Sequence, residues 1–247
     1  MTSNADALDD RKSRLPHFRF GLRTVFLLFA FVAVALFALL HFIPPIIAGR
    51  WASSHRVVNP RGSYALQLID DKAAAAAAQQ LKHLPYVESL ILGFAVTNKG
   101  LAALSGIKSH PSLTSVTLIK APITNAGLNY LSALNPLRNL MFNTCPIANA
   151  DLARLKSASN LQTLWLIEEG KQAKPSRFTE RSFAGIGQLK GLHTLNLAGL
   201  HISGKAARRL HGLNGLASLQ FIRCQISDEA VANLRAALPE CEIGRRE

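Results

Sequence analysis

Apolar residues fall at the first, fourth and sixth places of six short runs: VESLIL from Val87, LTSVTL from Leu113, LRNLMF from Leu137, LQTLWL from Leu161, LHTLNL from Leu192 and LASLQF from Leu216. The fourth and sixth places share one face of a strand. Each run leads through a turn into a related phrase: VTNKGL at Val96, ITNAGL at Ile123, IANADL at Ile147, FTERSF at Phe178, ISGKAA at Ile202 and ISDEAV at Ile226. Thr97, Thr124, Thr179, Ser203 and Ser227 stand where a hydroxyl caps a helix. The segments that follow, such as GLAALSGI and GLNYLSAL, space apolar residues three apart, on one helical face. The pattern predicts strand, turn and short helix six times over. The runs begin 26, 24, 24, 31 and 24 residues apart, the periodicity of a solenoid. A single unit buries too little apolar surface to offset the ordering of its own backbone, so only stacking makes it stable.

Capping structure is expected where such an array ends. Asp70 and Asp71 suit a helix start, and the alanines that follow favour helix, so residues 71–84 are read as a capping helix preceded by a strand at YALQLI. The cap then covers 63–86, the six repeats 87–243 and a short tail 244–247. LPECEI, at Leu238 to Ile243, opens one further repeat that stops. Residues 48–62, with Pro60 and Gly62, read as a linker.

From Thr24 to Ile43 the chain runs twenty residues without Asp, Glu, Lys or Arg. A helix of that length spans roughly 30 Å, the hydrocarbon thickness of a bilayer. Residues 24–47 are therefore expected to form a transmembrane helix. Arg11, Lys12, Arg14, Arg19 and Arg23 precede it, and only Arg50 and Arg56 follow closely, which places the tail 1–23 in the cytoplasm and the repeats outside it. A cleaved signal peptide fits less well, because its apolar region is usually shorter and no small-x-small cleavage site follows Pro44 and Pro45.

The 247 residues are 49% hydrophobic and carry a formal charge of +13. Beyond Ile47 lie 23 basic and 12 acidic residues, so the exported part alone is strongly cationic. That directs attention to anionic lipid or an acidic envelope polymer, while an exported domain has little access to nucleic acid. Cys145, Cys224 and Cys241 are too few for a disulfide framework. Cys145 and Cys224 occupy the same place three strands apart, about 14 Å, beyond disulfide reach, and are read as buried thiols that shape turns. Cys241 is read as a terminal core residue.

Repeated in phase, LxxLxLxx(C/T)xITxxGLxxLxxL resembles the leucine-rich repeat, in the cysteine-containing-like variety with helices on the convex side. The resemblance covers Val87 to Ile243. It implies an α/β solenoid with parallel strands on the concave side, and protein–protein interaction as the function. With PHFRFGLRTVFLLF leading into a single apolar span, the chain is also similar to single-span leucine-rich-repeat membrane proteins of some bacteria.

Chemistry is hard to find in the pattern. GIGQLKG, at Gly185 to Gly191, has the glycines of a dinucleotide loop but leads from a helix into a strand, the wrong order. His193, His201 and His211 fall on different surfaces of one repeat, and no nucleophile sits near a base. No catalytic role, cofactor, metal, nucleic acid or small-molecule substrate is expected. The outward strand places carry more. The third reads Ser89, Ser115, Asn139, Thr163, Thr194 and Ser218; the fifth and seventh bring Ile91, Ile119, Met141, Trp165, Ile167 and Ile222 to one side as an apolar patch fringed by polar groups. Such a patch with a tryptophan fits a protein partner. The fourth repeat carries seven extra residues, whose Glu168, Glu169, Lys171, Lys174 and Arg177 make a second candidate binding element. The competing reading is an adhesion module for anionic polymer or lipid driven by charge. An enzyme subunit whose chemistry resides in a partner chain stays open.

Overall fold

The computed structural model describes residues 56–58, 64–107, 110–147, 152–169 and 178–246. The chain divides into two units, Met1–Pro44 and Pro45–Glu247, and every described residue lies in the second. The segments read as tail and membrane helix fall outside the described residues. Among those described, no helix is long and apolar enough to cross a membrane.

Strand and helix alternate along the chain. β1 (Arg56–Val58) and β2 (Tyr64–Asp70) precede α1 (Asp71–Gln80), which ends in a 3-10 turn at Leu81–His83. The repeats follow as β3 (Val87–Ala95), α2 (Asn98–Leu104), β4 (Ser115–Ile119), α3 (Asn125–Ser132), β5 (Asn139–Asn143), a 3-10 helix at Leu152–Ser157, and β6 (Thr163–Ile167). Then come α4 (Glu180–Ile186), β7 (Thr194–Ala198), α5 (Gly204–Arg208), β8 (Ser218–Ile222), α6 (Asp228–Ala237) and β9 (Glu242–Arg246). The strands form one nine-stranded sheet in chain order, β1 antiparallel to β2 and the remainder parallel. β1 thus arises within the stretch read as linker, and β9 takes in most of the stretch read as tail.

Register follows the sequence repeat without a slip from β4 to β9. Ser115, Asn139, Thr163, Thr194, Ser218 and Glu242 are successive partners, and Val116, Leu140, Leu164, Leu195, Leu219 and Ile243 stand in the next row. That second row is buried throughout, as are Leu92, Leu118, Phe142, Leu166, Leu197 and Phe221. They join Leu101, Leu104, Leu128 and Leu131 from the helices in one continuous core. The seven extra residues of the fourth repeat leave β6 and β7 in register, so they are absorbed outside the sheet.

Backbone groups at the strand ends repeat as faithfully. The Arg138 carbonyl accepts from both Gln162 and Thr163, that of Gln162 from His193 and Thr194, and that of His193 from Ala217 and Ser218. After β4, β5, β7 and β8 the next N–H also crosses over: Lys120 to Asn143, Thr144 to Ile167, Gly199 to Ile222 and Arg223 to Arg246. Those four donors have left-handed backbone, φ 53, 52, 71 and 51. Glycine serves this turn at least cost, and a side chain on Gly199 would run into the Glu168 carbonyl as well.

The phrase TNxG has a physical reason. The Thr97 hydroxyl caps α2 by accepting from the Lys99 N–H, and it donates to Asp71 Oδ2 at 2.7 Å; Asp71 Oδ1 accepts from the N–H groups of Thr97 (2.7 Å) and Gly100 (2.9 Å). One repeat on, Asn98 holds Thr124 in the same way: Oδ1 accepts from its N–H at 3.0 Å and Nδ2 donates to its hydroxyl at 2.8 Å. A Cβ on Gly100 would lie 2.6 Å from Asp71 Oδ1, and one on Gly127 2.7 Å from Asn98 Oδ1. The phrase is therefore a strut between repeats: hydroxyl cap, reaching side chain, and a glycine that leaves it room.

Departures from the expected helices have local causes. Ser203 and Ser227 cap as expected, whereas Thr179 sits at the cap position without a side-chain bond. In the third repeat the corresponding place carries Ala148, which has no acceptor, and the expected helix is the 3-10 segment Leu152–Ser157. The capping helix is α-helical only to Gln80, since Leu84 precedes Pro85 and is turned out to φ −123.

Burial pushes the Asp71 carboxyl up, but the hydrogen bonds from Thr97 and Gly100 and the Lys99 charge outweigh it and hold the group below its ordinary value. Its contribution is complete above an unfolded value of about 3.9 and fades as pH falls through the lower folded value. Asp71→Ala is expected to cost about 2–4 kcal/mol at neutral pH. Asp71→Asn, which reproduces the Asn98 strut, should cost under about 1 kcal/mol and show a flatter loss of stability below pH about 4, read by denaturant titration across pH.

Candidate functional site: the open face of the sheet

The helices cover the face of the sheet that holds the leucine rows, which leaves the odd strand places on the other. Register sets Ile91, Thr117, Met141, Trp165, Asn196 and Gln220 side by side, and a second row runs Ile119, Asn143, Ile167, Ala198 and Ile222. All six proposed contact residues, Ile91, Ile119, Met141, Trp165, Ile167 and Ile222, are half-buried on this face. They do not form one unbroken patch. Met141 and Trp165 are direct partners with Ile167 two places on, but Thr117 stands between Ile91 and Met141, and Asn143 between Ile119 and Ile167. Asn196, beside Trp165, is buried, so the centre of the face combines an indole with an enclosed amide.

The most exposed large apolar groups lie elsewhere. Ile69 on β2 is 57% exposed and Phe94 on β3 72%. The first repeat is one residue short before Val96, and β2 and β3 shift register between Leu68 and Asp70, with Gly93 close to the Ile69 backbone. Counted from Val87, Phe94 occupies the eighth place, filled by Lys120, Thr144 and Arg223 in other repeats.

Of the insertion residues, Glu168 and Glu169 are described; Lys171, Lys174 and Arg177 lie outside the described residues. Glu169 reaches back to Lys120, with Nζ and Oε2 3.9 Å apart and both side chains well exposed, a contact worth little in water. The Glu168 N–H donates to the Ala198 carbonyl and so keeps the turn in the ladder.

The thiols are structural. Cys145 Sγ donates to the Leu118 carbonyl at 3.4 Å and Cys224 Sγ to that of Leu197 at 3.1 Å, each across to the preceding strand. Burial pushes the Cys224 thiol up, and burial together with Glu242 does the same at Cys241. The three histidines of the fifth repeat are dispersed: His193 lies 2.9 Å from the Gly191 carbonyl and His201 3.1 Å from Gln225 Oε1, while His211 is half-buried. A fourth, His110, is buried and structural, its Nδ1 accepting from the N–H groups of Ser112 and Leu113 and its Nε2 3.1 Å from the Leu84 carbonyl. GIGQLKG ends α4 and precedes β7, the order that excludes a dinucleotide loop.

No family model matches the chain, and no curated protein matches it. The repeat geometry decides the architecture: eight parallel strands one repeat apart, with a helical segment after each from β2 to β8. The described residues fold as a leucine-rich-repeat solenoid. Among solved structures it is similar to an internalin C2 from Listeria monocytogenes, at 20% identity and TM-score 0.44 over 67% of this chain and 63% of that one. A leucine-rich-repeat protein from Leptospira interrogans is similar at 21% identity and TM-score 0.43, over 67% of this chain and 38% of its own length. The chain thus spans less than two thirds of both. These are likenesses of fold, and the assignment stands on the chain's own register.

Thiol labelling checks the turn geometry. At neutral pH in the native protein, Cys145 and Cys224 are expected to resist a small alkylating reagent and Cys241 to react slowly; all three should react in denaturant. Native labelling of Cys224 at the rate of a free cysteine would contradict the packing described.

Proposed function

We propose that this chain is a membrane-anchored scaffold or receptor that binds a protein partner across the open face of its repeats. The observation that carries the reading is the Met141–Trp165 pair, side by side on a sheet face that none of the described helices covers. A large aromatic with a flexible thioether beside it is the kind of anchor on which interface energy concentrates, and a polar surround of Thr163, Thr194 and Ser218 suits a rim. A face pre-formed by stacked repeats loses little order when it binds. Among the described residues nothing assembles a nucleophile, base and acceptor, and the reading is one of binding, by analogy of fold as well as by site.

Anchoring is part of the same proposal and rests on the apolar run Thr24–Ile43 and the basic residues before it. The cytoplasm holds residues 1–23 and the repeats lie outside it, in the manner of the single-span bacterial proteins that the sequence resembles.

A photo-crosslinker placed at Thr117 in the full chain, in its native membranes, is expected to capture a discrete protein partner, and Trp165→Ala to reduce that capture at unchanged thermal stability. Equal capture from a crosslinker on α3 would sink the reading, and a large drop in melting temperature would show the indole to be core. Protease added to cells with a permeabilised outer envelope should degrade the repeats and spare residues 1–23; the reverse pattern overturns the topology.

A further inference from the structure

The end of the solenoid opposite the Ile69 and Phe94 groups carries a different chemistry. A cleft of roughly 870 Å³ opens where the last two turns meet β9, lined by His201, Ser203, Arg223, Ser227, Arg245 and Arg246 among others. Three arginines line it because the fold makes their backbones neighbours. Arg223 follows β8 in left-handed backbone and donates its N–H to the Arg246 carbonyl at 2.7 Å, and Arg245 and Arg246 end β9 beside Phe221 and Ile222. Arg245 occupies a place that faces the core in other repeats; here it turns to Asp228 at 2.6 Å. Arg223 and Arg246 have no carboxylate partner among the described residues. Ser203 and Ser227 accept from the Ala206 and Ala230 N–H groups, which leaves each hydroxyl hydrogen free to donate toward the cleft.

Counting donors selects the ligand class. Each guanidinium offers five N–H groups and no acceptor, and the two hydroxyls add to that surplus. A lone carboxylate has two oxygens, enough for a single arginine fork. Two forks without a carboxylate partner among the described residues, together with two hydroxyls, call for a dianion with three or more acceptor oxygens. We propose that this cleft binds a phosphate monoester, carried either on a soluble molecule or as a pendant group on a polymer.

The site lies at the β9 end of the sheet, three strands from Trp165, and its test reads binding alone. Glycerol 3-phosphate and tripolyphosphate are titrated calorimetrically into the full chain in neutral detergent. Saturable, salt-sensitive binding is expected, about tenfold weaker in Arg223→Gln and again in Arg246→Gln. Lys205→Gln with Arg208→Gln, the same charge removed from α5, should leave it unchanged. Tighter binding of tripolyphosphate would place several phosphates in the cleft at once, as clustered on a polymer, and equal or weaker binding a single monoester. Absence of saturation, equal weakening by the α5 pair, or equally tight binding of a hexaglutamate peptide would each overturn the proposal.

Discussion

Everything in this molecule depends on each repeat finding its neighbour at one fixed register. A parallel strand of five residues has no stability by itself, and its hydrogen bonds lie entirely with the strands before and after it. The second-place carbonyls that accept twice, the left-handed residues that send one more N–H across, and the Asp71 and Asn98 struts all act in the same direction. They fix translation from one repeat to the next while the leucine rows supply the free energy.

That constraint determines what kind of surface the chain can offer. Side chains at odd strand places are ordered by the sheet and cannot collapse inward, so half-exposed Met141, Trp165 and Ile167 are held apart from the core they resemble in composition. The two ends differ in chemistry along a single direction. Ile69 and Phe94 give one end an apolar rim, and Arg223, Arg245 and Arg246 give the other a cationic one. A partner lying along the strand-order axis would meet these environments in turn, which gives a repetitive scaffold a polarity it would otherwise lack.

The sequence made the repeats legible because the leucine rows obey two periods at once, and the strand register followed from those rows alone. It also showed where caps would stand, since Thr97, Thr124, Ser203 and Ser227 carry their acceptors visibly. What it hid were interactions across repeats. Gly100 and Gly127 read as ordinary turn residues, yet their purpose is to admit a side chain that lies 29 residues away in sequence in one case, Asp71 to Gly100. His110 gave no signal because its partners, Leu84, Ser112 and Leu113, are backbone groups that any sequence possesses. The candidate face was legible by position but not by continuity: whether Ile91 touches Met141 depends on Thr117, and Phe94 is exposed at a turn place where other repeats carry Lys120 and Arg223. The basic cleft had no periodic signature, because Arg223 stands at a turn place and Arg245 and Arg246 at places that face the core and the open sheet in earlier repeats.

The third repeat is where the account is most exposed to test. It carries Ala148 where other repeats carry Thr or Ser, shows a 3-10 segment among its described residues and precedes the insertion, yet β5 and β6 pair across it without a slip. Hydrogen exchange of the full chain, followed strand by strand in mild denaturant, measures whether stacking holds through that weak point. Amides of β4 to β8 are expected to open together with a common free energy, fraying only toward β1. Two blocks of different stability, divided between β5 and β6, would contradict a single cooperative slab.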